Sequence, residues 1–156
     1  MEATQEFERA AALRPERSAP LLGLANVELR RGFVDRATSL VTRALDLEPA
    51  NAEAWFLQGE VNRRSGELEK ALMAFERGLE IDSSRTSARV ASAALLVQLG
   101  RTDRAVKELE VILELDEFEP FANYLYLTLM RGQGQRSKAP DALERLRSRL
   151  AVLKPG

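Results

Sequence analysis

Residues 52–85 read AEAWFLQGEVNRRSGELEKALMAFERGLEIDSSR. Apolar residues recur at helical spacing on either side of Ser65 and Gly66, which predicts two helices joined by a short turn. The rest of the chain repeats this unit. Stepping by 34 residues, alanine falls at Ala3, Ala37, Ala71, Ala105 and Ala139, and glycine at Gly32, Gly66, Gly100 and Gly134. Four residues beyond each alanine stands a large apolar side chain: Phe7, Val41, Phe75, Leu109 and Leu143. Two ladders in register predict an array of helix-turn-helix units. One such unit cannot bury its own apolar face, so stacking of neighbours forms the core.

The period and its fixed small residues resemble the tetratricopeptide repeat. Trp55, Gly59, Gly66, Ala71, Phe75, Leu79 and Ile81 occupy that pattern's places. Gln58, Asn62 and Ser83 depart from it, standing where leucine, tyrosine and proline are usual. The resemblance implies an all-α fold: a right-handed α-solenoid of antiparallel helix pairs, or α-α superhelix, with about four repeats and an N-terminal half-repeat. Residues 1–17 are the second helix of a truncated repeat. Complete repeats follow at 18–51, 52–85 and 86–119, and 120–153 forms a C-terminal capping repeat, the whole chain making a single array. In the first complete repeat Asp35 is the expected N-cap of a second helix running from about Asp35 to Leu47. Phe7, lacking its own first helix, is expected to be exposed, which makes this end the place for self-association as a homodimer. In the last repeat Pro140 requires a helix start near Ser137. Arg147 and Arg149 stand there where Leu79 and Ile81 stand earlier, giving the polar outer face that an end repeat needs. The beginning therefore reads as a cut and the end as a true terminus.

Composition narrows the function classes. The chain has 156 residues, a formal charge of −1, no histidine and no cysteine. That removes the commonest general base, thiolate metal sites, disulfides and a cysteine nucleophile. No phosphate-binding glycine loop, GxSxG, SxxK or HExxH occurs. The expectation is no enzyme, no cofactor and no metal. A charge so near neutrality gives no electrostatic footprint for nucleic acid. No apolar run is long enough to insert in a membrane, and residues 1–10 lack a signal-peptide layout, so a soluble cytoplasmic or periplasmic chain is expected.

What remains is protein binding. In the family that this chain resembles, the first helices line a concave groove through their second, fifth, ninth and twelfth positions. Carried over residue by residue, the groove is expected to hold Leu22, Asn26, Leu29, Phe56, Glu60, Arg63, Val90, Val97, Phe121, Tyr124 and Arg131. Leu22, Phe56, Val90 and Tyr124 form an apolar row that looks surplus to packing, because Val27, Val61, Leu95 and Leu129 already fill the seam positions. Such a groove suits a peptide or helical segment that presents apolar anchors beside a carboxylate for Arg63 or Arg131. The row is also open to cover by neighbouring helices. The arginines have an ordinary role as well, as cations in the last turn of a helix. The clamp by which some members of the family grip a chaperone tail is not matched: Leu22, Leu57, Ser87 and Ala91 stand at its places, and only Asn26 agrees. The expected function is a non-enzymatic interaction scaffold within a larger bacterial protein. The alternative is an architectural or self-association module of an envelope or exopolysaccharide-export protein.

Overall fold

The computed structural model describes residues 5–7, 9, 13, 17–116 and 119–132. Among these residues the ordered elements are helices, and no strand occurs. They divide into two compact units, 1–88 and 89–156. The first holds α1 (Ser18–Arg30), α2 (Val34–Leu47), α3 (Ala52–Arg64) and α4 (Leu68–Ile81), preceded by helical residues around Phe7. α5 (Thr86–Gln98) begins at the end of the first unit and continues into the second, which also holds α6 (Thr102–Leu115) and α7 (Pro120–Gly132). First helices start at Ser18, Ala52, Thr86 and Pro120, and second helices at Val34, Leu68 and Thr102. The expected final helix, with Gly134, Ala139, Pro140, Leu143, Arg147 and Arg149, lies outside the described residues.

The turns explain the glycine ladder. Gly32, Gly66 and Gly100 have φ of 85°, 78° and 71°, the left-handed region that only glycine adopts without strain. At each, two bonds close the preceding helix. Gly32 N–H donates to Leu29 O and Phe33 N–H to Glu28 O; Gly66 and Glu67 donate to Arg63 and Asn62; Gly100 and Arg101 donate to Val97 and Leu96. This pairing is the Schellman closure of a helix C-terminus. It leaves one residue before the next helix, so Phe33, Glu67 and Arg101 become N-caps without a side-chain capping bond. The expected cap at Asp35 is thereby corrected. The tight closure moves the cap two residues earlier, to Phe33, and Asp35, like Glu69 and Asp103, sits in the first turn, where its charge meets the positive end of the helix.

The alanine ladder marks close approach of helices. Ala37, Ala71 and Ala105 are each 0% exposed, so none has room for a larger side chain. In the first unit Leu21, Leu22, Ala25 and Leu29 of α1 pack with Ala37, Val41 and Ala44 of α2 and with Ala54, Leu57 and Val61 of α3. Polar bonds fix successive first helices to each other. Asn51 caps α3 by accepting from Ala54 N–H, and its amide donates to Ser18 Oγ at 3.1 Å and to Glu48 at 2.9 Å. Glu48 in turn accepts from Ser18 N–H at 3.2 Å. In the second unit Ala93, Leu109, Ile112, Ala122 and Leu125 form the core, with Val90, Ala94, Val97 and Leu129 partly buried against it.

The expected exposure of Phe7 is corrected too. Its ring is half-buried and rests on Gly23 of α1, where an added Cβ would stand 2.4 Å from Cε1. The absence of a side chain at Gly23 lets the ring lie on the helix backbone, so Phe7 already has an apolar surface within its own chain.

Candidate functional site

The expected groove positions fall differently in the two units. In the first, Leu22, Leu29 and Phe56 are buried at 7%, 2% and 7% exposure, which corrects the reading of Leu22 and Phe56 as surplus to packing. Leu22 and Leu29 belong to the α1–α2–α3 core. Phe56 lies on Gly78 of α4, where a Cβ would stand 2.4 Å from its Cε1, and the Arg85 guanidinium covers the ring at 5.2 Å. The arrangement is reciprocal. Phe75 of α4 lies on Gly59 of α3, where a Cβ would come within 2.8 Å of its ring. Two rings, each seated on a glycine of the partner helix, draw α3 and α4 together and consume the apolar surface that the groove was expected to show.

The polar groove positions of the first unit are engaged with one another. Arg63 donates to Glu60 through Nε at 2.8 Å and Nη2 at 2.7 Å, and Arg64 Nε donates to the same carboxylate at 2.8 Å. Burial pushes the Glu60 carboxyl up, but the bonds from Arg63 and Arg64 outweigh it and hold the group below its ordinary value. The same bond raises Arg63, against the opposing effect of partial burial. Arg63 is therefore already neutralised, and a ligand carboxylate would have to displace Glu60. Asn26 is exposed on α1.

In the second unit, the groove positions on α7 are exposed. Val90 and Val97 of α5 are half-buried against the core. On α7, Phe121 and Tyr124 are 46% and 63% exposed and stack with ring centroids 6.3 Å apart and planes 25° apart. Aromatic pairs in such geometry stabilise each other by about 0.5–1.5 kcal/mol beyond the area they bury. Seven residues beyond Tyr124, on the same face and about 10 Å along the helix, stands Arg131, exposed and without an ion pair among the described residues. Between them the Thr128 hydroxyl donates to Tyr124 O at 2.8 Å, leaving that side chain folded onto the helix. The face thus offers an apolar platform with a cation at its end.

A second concavity was not anticipated as a site. Trp55, Gln58 and Asn62 of α3, with Met73, Ala74 and Arg77 among the α4 residues, line a depression of about 480 Å³. Gln58 and Asn62 are two of the three departures from the repeat pattern. Polar side chains replacing a leucine and a tyrosine were the signal that could have found it.

Among the described residues no group of three acidic, histidine or cysteine side chains could hold a metal ion, and no helix is long and apolar enough to cross a membrane. The repeated helix pairs, glycine closures and buried alanine ladder define an α-solenoid built from tetratricopeptide units, and the chain belongs to the tetratricopeptide repeat family. Two forms of that repeat match residues 22–86 and 62–128. Members of this family are protein-interaction modules. Solved structures with similar folds include MamA, at TM-score 0.83 and 19% identity over 95% of this chain and 89% of that one. Another is YrrB, a TPR protein with an unusual peptide-binding site, at TM-score 0.85 and 21% identity over 94% of this chain and 75% of that one. These likenesses speak for the fold alone. No curated protein matches the sequence.

Proposed function

We propose that this chain is a non-enzymatic interaction scaffold whose principal anchor is the α7 face, and that it holds a peptide or helical segment of a protein partner there. The observation that carries this reading is the exposed, stacked Phe121–Tyr124 pair. Neither ring is required for the core of its own unit, which Ala93, Leu109, Ile112, Ala122 and Leu125 supply. Aromatic residues exposed on a rigid helix are the type of side chain that dominates binding energy in interfaces. Arg131, with no carboxylate partner among the described residues, adds a preference for an acidic group beside the apolar anchor. The half-buried Val90 and Val97 extend the apolar surface on the same unit. The peptide-binding site of YrrB lends support by likeness of fold.

The test is to select binders from a random peptide library on the immobilised protein and to map the enriched peptide by amide chemical shifts. The reading expects shifts concentrated on Phe121, Tyr124 and Arg131, and enriched sequences pairing an apolar residue with an acidic one. Shifts confined to the second helices, α2, α4 and α6, would contradict it.

A further inference from the structure

The depression on the α3–α4 pair has a built interior. Trp55 forms one wall, held in place because its indole N–H donates to Pro49 O at 2.8 Å. Met73 and Ala74 supply apolar lining from α4, and Met73 is 68% exposed. Within the lining Gln58 Nε2 donates to Asn62 Oδ1 at 2.9 Å. That bond uses one donor of Gln58 and the acceptor of Asn62. Two polar groups remain, the Gln58 Oε1 acceptor and the Asn62 Nδ2 donor, and among the described residues neither has a partner. Asn62 is only 9% exposed, and its amide nitrogen is not among the buried side-chain atoms cut off from solvent. Its remaining access is therefore slight. The rim carries two cations, Lys70 and Arg77, and two anions, Glu76 and Glu80; Arg77 pairs with Glu80 at 2.6 Å, and Lys70 with Glu67 of the turn before α4 at 3.0 Å.

Each feature selects a ligand property. A paired acceptor and donor complement an amide, whose N–H and C=O are the converse. The apolar walls select a side chain of leucine size or larger beside that amide, and the balanced rim favours no net charge. A volume of about 480 Å³ lies within the range of small-ligand pockets. We propose that this depression is a second binding site, on the first unit, for a neutral peptide segment. One apolar side chain enters between Trp55 and Met73, and the backbone amide of the same residue pairs with Gln58 and Asn62. In an extended chain the N–H and C=O of one residue point to the same side, so one residue satisfies both groups. The site exists because Gln58 and Asn62 replaced larger apolar residues. It does not depend on the α7 face, and Tyr124→Ala leaves it unchanged.

Trp55 is the sole tryptophan of the chain, so its fluorescence reports this site directly. The probe is N-acetyl-leucinamide, a neutral apolar residue carrying amide groups, for which a Kd on the order of 1 mM suits its size. The proposal expects a saturable change in Trp55 emission. Gln58→Met, which keeps the shape and removes the acceptor, weakens the probe by about tenfold. The pair Gln58→Leu and Asn62→Tyr restores the usual residues of the repeat and fills the space. It abolishes the response while leaving the helix signal and thermal unfolding at or above those of wild type. A response that does not saturate, or one equal in wild type and Gln58→Met, overturns the proposal.

Discussion

Replacing Gly78 with alanine should reveal what holds α3 against α4. An alanine Cβ would lie 2.4 Å from Phe56 Cε1 and 2.5 Å from Cδ1, where carbon atoms ordinarily rest about 3.5 Å apart or more. The ring must therefore retreat by about 1 Å. Phe56 is buried and its outer face is covered by the Arg85 guanidinium at 5.2 Å, so retreat disturbs a second contact. Overpacking of this kind costs about 1–3 kcal/mol. Against it stands the gain of about 1 kcal/mol from alanine over glycine within a helix. The net expectation is destabilisation of about 0–2 kcal/mol, with the informative quantity being the coupling to Phe56. In a Phe56→Leu background the smaller, flexible side chain yields, and Gly78→Ala should become neutral or stabilising. Urea titration followed by far-ultraviolet circular dichroism gives all four corners of this cycle. The expected coupling is about 1–3 kcal/mol. If Gly78→Ala stabilises by about 1 kcal/mol in both backgrounds, the rings do not set the helix spacing and Phe56 is free to face a groove.

Three further outcomes are expected. Leu29→Ala should destabilise the chain by about 2–5 kcal/mol in the same titration, as a core truncation does; a change within experimental error would return Leu29 to the surface. Gly66→Ala should cost about 1–2 kcal/mol from the backbone alone, since φ is 78° and nothing lies within 4 Å of the new Cβ, and Gly66→Asn should cost less. Hydrogen bonds from Ser18 and Asn51 hold the Glu48 carboxyl below its ordinary value. Its stabilising contribution is therefore present above the ordinary carboxylate pKa and is lost as pH falls through the folded value. The stability advantage of wild type over Glu48→Gln should shrink as the solution is acidified below pH about 4, and an advantage that grows would reverse the sign of the argument.

The parts of the fold legible from residue order were those with a single physical cause. Gly32, Gly66 and Gly100 are fixed by a left-handed backbone, and Ala37, Ala71 and Ala105 by the contact distance of two helices, so both ladders survive in register. Burial of the apolar row was less legible. Periodicity says that Leu22 and Phe56 are apolar and share a face, but not whether a neighbour covers them. The cover comes from elsewhere in the chain: Gly78 is 22 residues beyond Phe56 and admits its ring because it lacks a Cβ. An isolated glycine within a helix pattern was the available signal at Gly23, Gly59 and Gly78. Asp35 has the right chemistry for an N-cap, yet the glycine closure beside it decides where α2 begins. Gln58 and Asn62 were visible as departures, but the volume that they free depends on Trp55 and Met73 from two helices.

The reading of α7 as the anchoring face is tested most directly by the affinity of a library-selected peptide for wild type and for Tyr124→Ala, followed by fluorescence anisotropy. Tyr124 is exposed and outside the core, so the variant should unfold at the wild-type urea midpoint. The account predicts that it loses about tenfold or more in affinity. Equal affinity for the two proteins would contradict it and move the site away from α7.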